Sequence, residues 1–214
     1  MRIPSTWAYP LIASIACLLY ANTLANELVF DDQRLIEEQM AIRSPWDLSG
    51  ILGGRYWGET KPEDPLYRPL TIWSLALNHR ANRFLGLPGE HPTGFRVINL
   101  LLHALVGCAL YRFLIQLGIV AEASLAAALL FVAHPIHTEA VDAIVNRSEL
   151  LALGLGLTFL ALHVKRKWVG ALFYLLAIWS KESAVVFFGL AIWTDAYLGG
   201  KREWPFLRYG LYGL

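Results

Sequence analysis

Six apolar runs constrain this chain more than any other feature: residues 7–24, 95–117, 121–133, 150–164, 168–179 and 184–198, with polar stretches between them. Roughly 20 apolar residues, about 17 to 25 in practice, cross a bilayer as a helix, because hydrocarbon offers the backbone no partner outside the helix. The third run is short for a span, and a seventh begins near Phe206. With 56% hydrophobic and 16% charged residues and a mean hydropathy of +0.45, the chain is too apolar for an ordinary soluble domain. The expectation is an all-α polytopic membrane protein with about six transmembrane helices and the start of a seventh, one domain over residues 1–214. The first run is preceded by Arg2 alone and followed by no clear small-x-small cleavage site, so it reads as a signal anchor.

The net charge of +1, with no basic run interleaved with aromatic residues, argues against nucleic acid as a partner. Cys17 and Cys108 lie inside apolar runs, where a thiol behaves as a small hydrophobe; they indicate neither a disulfide scaffold nor a metal knuckle.

Arg2, Lys165-Arg166-Lys167 and Lys201-Arg202 fall on one side if the spans alternate, and short basic loops mark the cytoplasmic side. Three polar segments then share the opposite, outer side: a long first loop (25–94), a second (134–149) and a tight third turn (180–183). Pro45, Pro62, Pro65, Pro69, Pro88 and Pro92 divide the first loop into short pieces. Within it, residues 70–87 mix Ile72, Trp73, Leu75 and Phe84 with Asn78, His79, Arg80 and Arg83, as a juxtamembrane helix in the lipid interface or packed beside it would.

The outer segments hold the residues with chemical potential. Asp31-Asp32 either caps a short helix or provides a general base, since crowding and partial burial raise a carboxyl pKa toward useful values. In HPIHTEAV (134–141), Pro135 suits a helix start, and a continuous helix would align Thr138, Glu139, Asp142, Asn146 and Glu149. His134, His137 and Glu139 could cap and pack, hydrogen-bond a substrate or hold a divalent metal, although the order is not His-Glu-x-x-His. Lys181-Glu182 lies between two apolar runs, where an unpaired charge is costly. The two could satisfy each other, or Lys181 could meet a lipid phosphate together with Arg147 and the Tyr67-Arg68-Pro69 group, arginine offering phosphate a two-pronged fork.

Taken in order, FDD (30–32), YRPL (67–70), FRVINLLLHAL (95–105), HPIHTEAVDAIVNRSELL (134–151) and SKES (180–183) resemble the transmembrane O-mannosyltransferases that carry tetratricopeptide repeats. The resemblance implies a GT-C-type membrane glycosyltransferase that moves mannose from a polyprenyl-phosphate donor to a protein hydroxyl at the lumenal or periplasmic face. It implies an integral protein of the endoplasmic reticulum or the bacterial inner membrane. It also implies that Asp31, with Asp32 beside it, forms the catalytic base region. His134, His137, Glu139 and Arg147 become donor or acceptor contacts, and Lys181-Glu182 matches the Lys-Glu of the third outer turn. Family members continue with further spans and helical repeats, so the chain is expected to be the N-terminal part of such an enzyme. A transporter would instead distribute charge through the span centres, whereas here the charges gather at run ends and in loops. A non-catalytic membrane scaffold is the third alternative.

Overall fold

The computed structural model describes residues 5–59, 61, 63–199 and 210; Arg2, Pro62, Lys201-Arg202 and the run starting near Phe206 lie outside the described residues. Among those described, every regular element is helical and there is no strand. The apolar runs become α1 (Ser5–Leu19), α5 (Pro92–Gln116), α6 (Ala121–Ala133), α8 (Arg147–Val164), α9 (Gly170–Ser180) and α10 (Val186–Tyr197). Between α1 and α5 lie α2 (Asp31–Gln33), α3 (Leu48–Gly53) and α4 (Pro69–Phe84); α7 (His137–Asp142) follows α6. Both α4 and α5 begin on a proline, whose missing N–H would have no partner in a first turn.

Two stretches have the length and composition to cross a membrane: Pro92–Gln116 and Ile144–Val164. The other apolar helices, Trp7–Leu19, Ala121–Ala133 and Gly170–Ser180 among them, are shorter than a full span. The longest, α5, runs its 25 residues through the middle of the bundle, packed by α1 and α6 on one side and α8 on the other. Gly107 makes the first crossing close: a Cβ there would run into Val132 of α6 and Ile12 of α1. Gly156 does the same between α8 and the Phe187 ring of α10.

The first loop is folded around its own apolar core, in which Leu35, Ile36, Ile42, Ile51 and Tyr56 meet Ile72 and Leu75 of α4, Phe95 of α5 and Ile144. Helix α4 buries Ile72 and Leu75 but also Asn78, His79 and Asn82, and leaves Trp73, Leu77 and Phe84 exposed. Its outward apolar stripe suits an interfacial position. Its inward polar side chains are bound within the protein: Asn82 donates to the carbonyls of Gly89 (2.9 Å) and His91 (3.2 Å).

The single helix expected from Pro135 onward is instead three pieces. Helix α7 starts at His137, the chain extends at Ala143 (φ −74°, ψ 117°), and a 3₁₀ turn (Ile144–Asn146) leads into α8. Side chains of α5 compensate for the lost helical bonds. Asn99 donates to the carbonyls of Val141 (3.3 Å) and Ala143 (3.4 Å), and Arg96 Nε to that of Asp142 (3.2 Å).

Candidate functional site

The three polar segments converge at one end of the bundle. Asp32 is buried, and its Oδ1 accepts from the Val145 amide at 2.9 Å, which ties the first loop to the second. Its Oδ2 is buried without a hydrogen-bond partner. Burial pushes this carboxyl above its usual range, against the pull of the Ile144 and Val145 amides and of Arg96. Phe30, just before the pair, has φ 48°, and the two carboxylates that follow, about 100° apart as successive residues of α2, face different surroundings. Asp31 remains half exposed and pairs with Lys61 Nζ at 3.0 Å; that ammonium also lies 3.8 Å from the centre of the Trp57 ring.

On the other side of Val145, Tyr56 donates its hydroxyl to the Val145 carbonyl at 2.8 Å. Burial raises the Tyr56 pKa, so this hydroxyl keeps its proton. Arg68 lies over the Tyr56 ring, 5.0 Å from its centre, and grips Glu182 with two bonds, Nε–Oε2 at 3.0 Å and Nη2–Oε1 at 2.6 Å. That fork holds the Glu182 carboxyl below the usual carboxylate range. Lys181 pairs with Glu149 rather than with its neighbour Glu182. The third turn is thus crosslinked to the first loop by one pair and to α8 by the other. Tyr67 is half exposed and donates to the Leu52 carbonyl at 2.9 Å.

Arg147, grouped by sequence with the phosphate-binding cations, is fully buried and occupied inside the fold. Its Nε donates to Asn99 Oδ1 (2.8 Å), Nη2 to Asn78 Oδ1 (2.8 Å) and the Phe95 carbonyl (2.9 Å), and Nη1 to the Ser74 carbonyl (3.3 Å). It joins α4, α5 and α8, and as placed it offers no fork to a ligand.

The histidines form a ring cluster. His137 lies 5.1 Å from His103 and 4.3 Å from Phe131 between ring centres, with His134 6.3 Å away. Burial, His103 and His134 together keep the His137 pKa below its ordinary value, so its ring is neutral at pH 7. His134 Nδ1 accepts from the Ile136 amide at 3.2 Å, the turn-capping role. Among the described residues no three His, Cys, Asp or Glu side chains gather as metal ligands, so His134, His137 and Glu139 as placed do not make a divalent-metal site.

Below this polar end, a cavity of about 820 Å³ runs between α5, α6, α8 and α10. Its length is apolar, with Leu114, Phe131, Leu153, Leu157, Phe187 and Leu190 in the wall. Its polar lining at the loop end is His137, Glu139, Asn146, Glu149 and Ser183. Arg96, Asn99, Asn78 and Tyr56 organise this end and were not singled out from sequence. Arg and Asn inside FRVINLLLHAL were the available sign, since polar groups in an apolar helix demand partners.

Comparison with known proteins identifies protein O-mannosyl-transferases among its relatives. The chain is 33% identical to human protein O-mannosyl-transferase TMTC4 over 175 residues, 74% of this chain and 23% of the relative. It is 30% identical to the Caenorhabditis elegans protein O-mannosyl-transferase F38B6.6 over 176 residues, 79% and 25% of the two chains. With human protein O-mannosyl-transferase TMTC1 it shares 36% over 151 residues, 68% and 16%. The chain therefore spans a quarter or less of the length of these relatives. No family model and no solved structure matches. Over the matched residues the chain belongs to the protein O-mannosyl-transferase family.

Proposed function

We propose that the chain is the donor-binding and base-bearing part of a multi-pass GT-C-type mannosyltransferase, which takes mannose from a polyprenyl phosphate and delivers it to a protein hydroxyl at the lumenal or periplasmic face. One observation carries this reading. The long apolar cavity ends in His137, Glu139, Glu149 and Ser183; Glu149 pairs with Lys181 of the third turn, whose Glu182 is held by Arg68 of the first loop. An apolar tail topped by a sugar phosphate has that pattern of polarity.

In this reading the polyprenyl tail lies along α8 and α10 and the phosphate reaches Lys181 and Arg68. Both cations are held by carboxylates, Glu149 and Glu182, whose place the phosphate takes or shares. Asp31, the exposed member of the pair, is the base; Asp32 positions the loop by holding the Val145 amide. As the acceptor hydroxyl attacks the anomeric carbon, Asp31 takes its proton. The carbon–oxygen bond to phosphate breaks with inversion, and the developing phosphate charge is met by Lys181 and Arg68. His134, His137, Glu139 and Tyr67 are the remaining groups from which sugar and acceptor contacts are drawn, and Arg147 supports the frame.

Transfer of mannose from polyprenyl-phosphate mannose to a Ser/Thr peptide tests the proposal. In the complete enzyme of which this chain is proposed to be a part, Asp31→Asn is expected to keep donor binding and to lower turnover by about 10²-fold or more, the range for loss of a general base. Absence of transfer by the unsubstituted chain would refute catalysis by this chain alone. A loss confined to Asp32→Asn would move the base to the buried carboxylate.

A further inference from the structure

A second cavity, of about 530 Å³, lies along the other side of the α5–α8 contact with Tyr9 of α1 in its wall, and shares Leu150 and Leu157 with the first. Its polarity is the reverse of the first. Its walls are apolar through Leu102, Leu105, Leu151, Leu155 and Leu162; Tyr9 and Thr158 also line it, and its charged and amide side chains are Arg112, Gln116 and Lys165 at the far end. Arg112 and Gln116 are one turn apart on α5, and Lys165 directly follows α8, at the head of the Lys165-Arg166-Lys167 turn. Arg112 and Lys165 are exposed, and neither has an acidic partner among the described residues. Gln116 Oε1 is buried and accepts no hydrogen bond.

From this juxtaposition we infer that the groove between α5 and α8 is a binding site for an anionic glycerophospholipid of the leaflet on the basic side, one whose headgroup carries a hydrogen-bond donor beside its phosphate. The phosphate is held by Arg112 and Lys165, the donor satisfies Gln116 Oε1, and an acyl chain fills the groove. From Gln116 to Leu102 the groove follows about 21 Å of helix, against the roughly 15 Å depth of one leaflet, so an acyl chain can lie along its full depth. The two cations select charge, as basic residues at a membrane surface do. The apolar walls select a lipid over a soluble phosphate. This site goes beyond the donor reading, because it lies along the other side of the α5–α8 contact and does not use Lys181 or Arg68.

Native mass spectrometry of the purified chain, titrated with phosphatidylglycerol or phosphatidylcholine of equal acyl length, decides it. Phosphatidylglycerol is expected to be retained where phosphatidylcholine is washed away, with retention falling as salt rises. The double variant Arg112→Gln/Lys165→Gln is expected to lose about tenfold or more of that retention, the scale of a charge-assisted hydrogen bond, while Arg112→Lys keeps most of it. Ala161→Trp, which fills the groove and spares both cations, is expected to abolish it, and free glycerol phosphate is expected not to compete. Equal retention of the two lipids, unchanged retention in the double variant, competition by glycerol phosphate, or no retained lipid at all, as when another helix covers the groove, would each overturn the site.

Discussion

Asp32 Oδ1 and the Val145 amide, 2.9 Å apart and 113 residues apart in sequence, lock the first loop onto the second, next to Asn146 in the wall of the large cavity. The buried carboxylate makes this lock sensitive to pH. Its pKa is raised in the fold, so its contribution to stability is complete below the unfolded value of about 3.9 and is lost as pH rises through the folded value. Asp32→Asn keeps the acceptor and removes the charge. The variant is therefore expected to melt at or above the parent temperature at pH 7, with the difference shrinking toward pH 4. Asp32→Ala leaves the Val145 amide without its acceptor and is expected to cost about 1–3 kcal/mol at either pH. Thermal melts across that pH range check both outcomes.

Arg147 gives a sharper stability prediction. Arg147→Met leaves Asn78, Asn99 and the Phe95 carbonyl facing an apolar side chain, and Arg147→Lys cannot reproduce the planar fork that joins three helices. Both are expected to destabilise the chain strongly, with Arg147→Met losing about 1–3 kcal/mol for each buried acceptor left unsatisfied, visible as lost yield and lowered melting temperature. A phosphate-binding Arg147 would instead leave folding intact and weaken donor affinity.

The sequence made the positions of the helices legible and left their partnerships hidden. Each apolar run became a helix because backbone satisfaction in apolar surroundings allows little else. Proline placed the starts of α4 and α5. The break at Ala143 was not legible, because it depends on Asn99 and Arg96, more than 40 residues away, taking over the carbonyls of the second loop. The same holds at the third turn. Adjacency suggested that Lys181 and Glu182 satisfy each other, yet an extended Lys181 (φ −158°, ψ 136°) sends the two side chains to different partners, Glu149 and Arg68. Asp31 and Asp32 were equivalent as letters; as successive residues of one helical turn they point in different directions, and the loop core buries Asp32 while Asp31 stays half exposed.

The Arg68–Glu182 fork is partly exposed, so its worth is modest. Arg68→Gln and Glu182→Gln in a double-mutant cycle are expected to show a coupling of about 1 kcal/mol at pH 7. Arg68 depresses the Glu182 pKa, so this coupling is present above the unfolded value of about 4.3 and disappears as pH falls through the folded one. A coupling that stayed constant down to pH 3 would show that the link does not depend on the carboxylate charge.

The central claim, that a lipid-linked sugar phosphate occupies the cavity beside the third turn, is tested most directly by the affinity of the purified chain for polyprenyl-phosphate mannose. The account predicts saturable binding that strengthens with tail length. Lys181→Met is expected to weaken it by about tenfold or more through loss of a charge-assisted bond to phosphate. Leu153→Trp, which narrows the cavity without touching the charged end, is expected to weaken long-tailed donors most. Affinity unchanged in both variants, or equal for a tailless mannose phosphate, would contradict it.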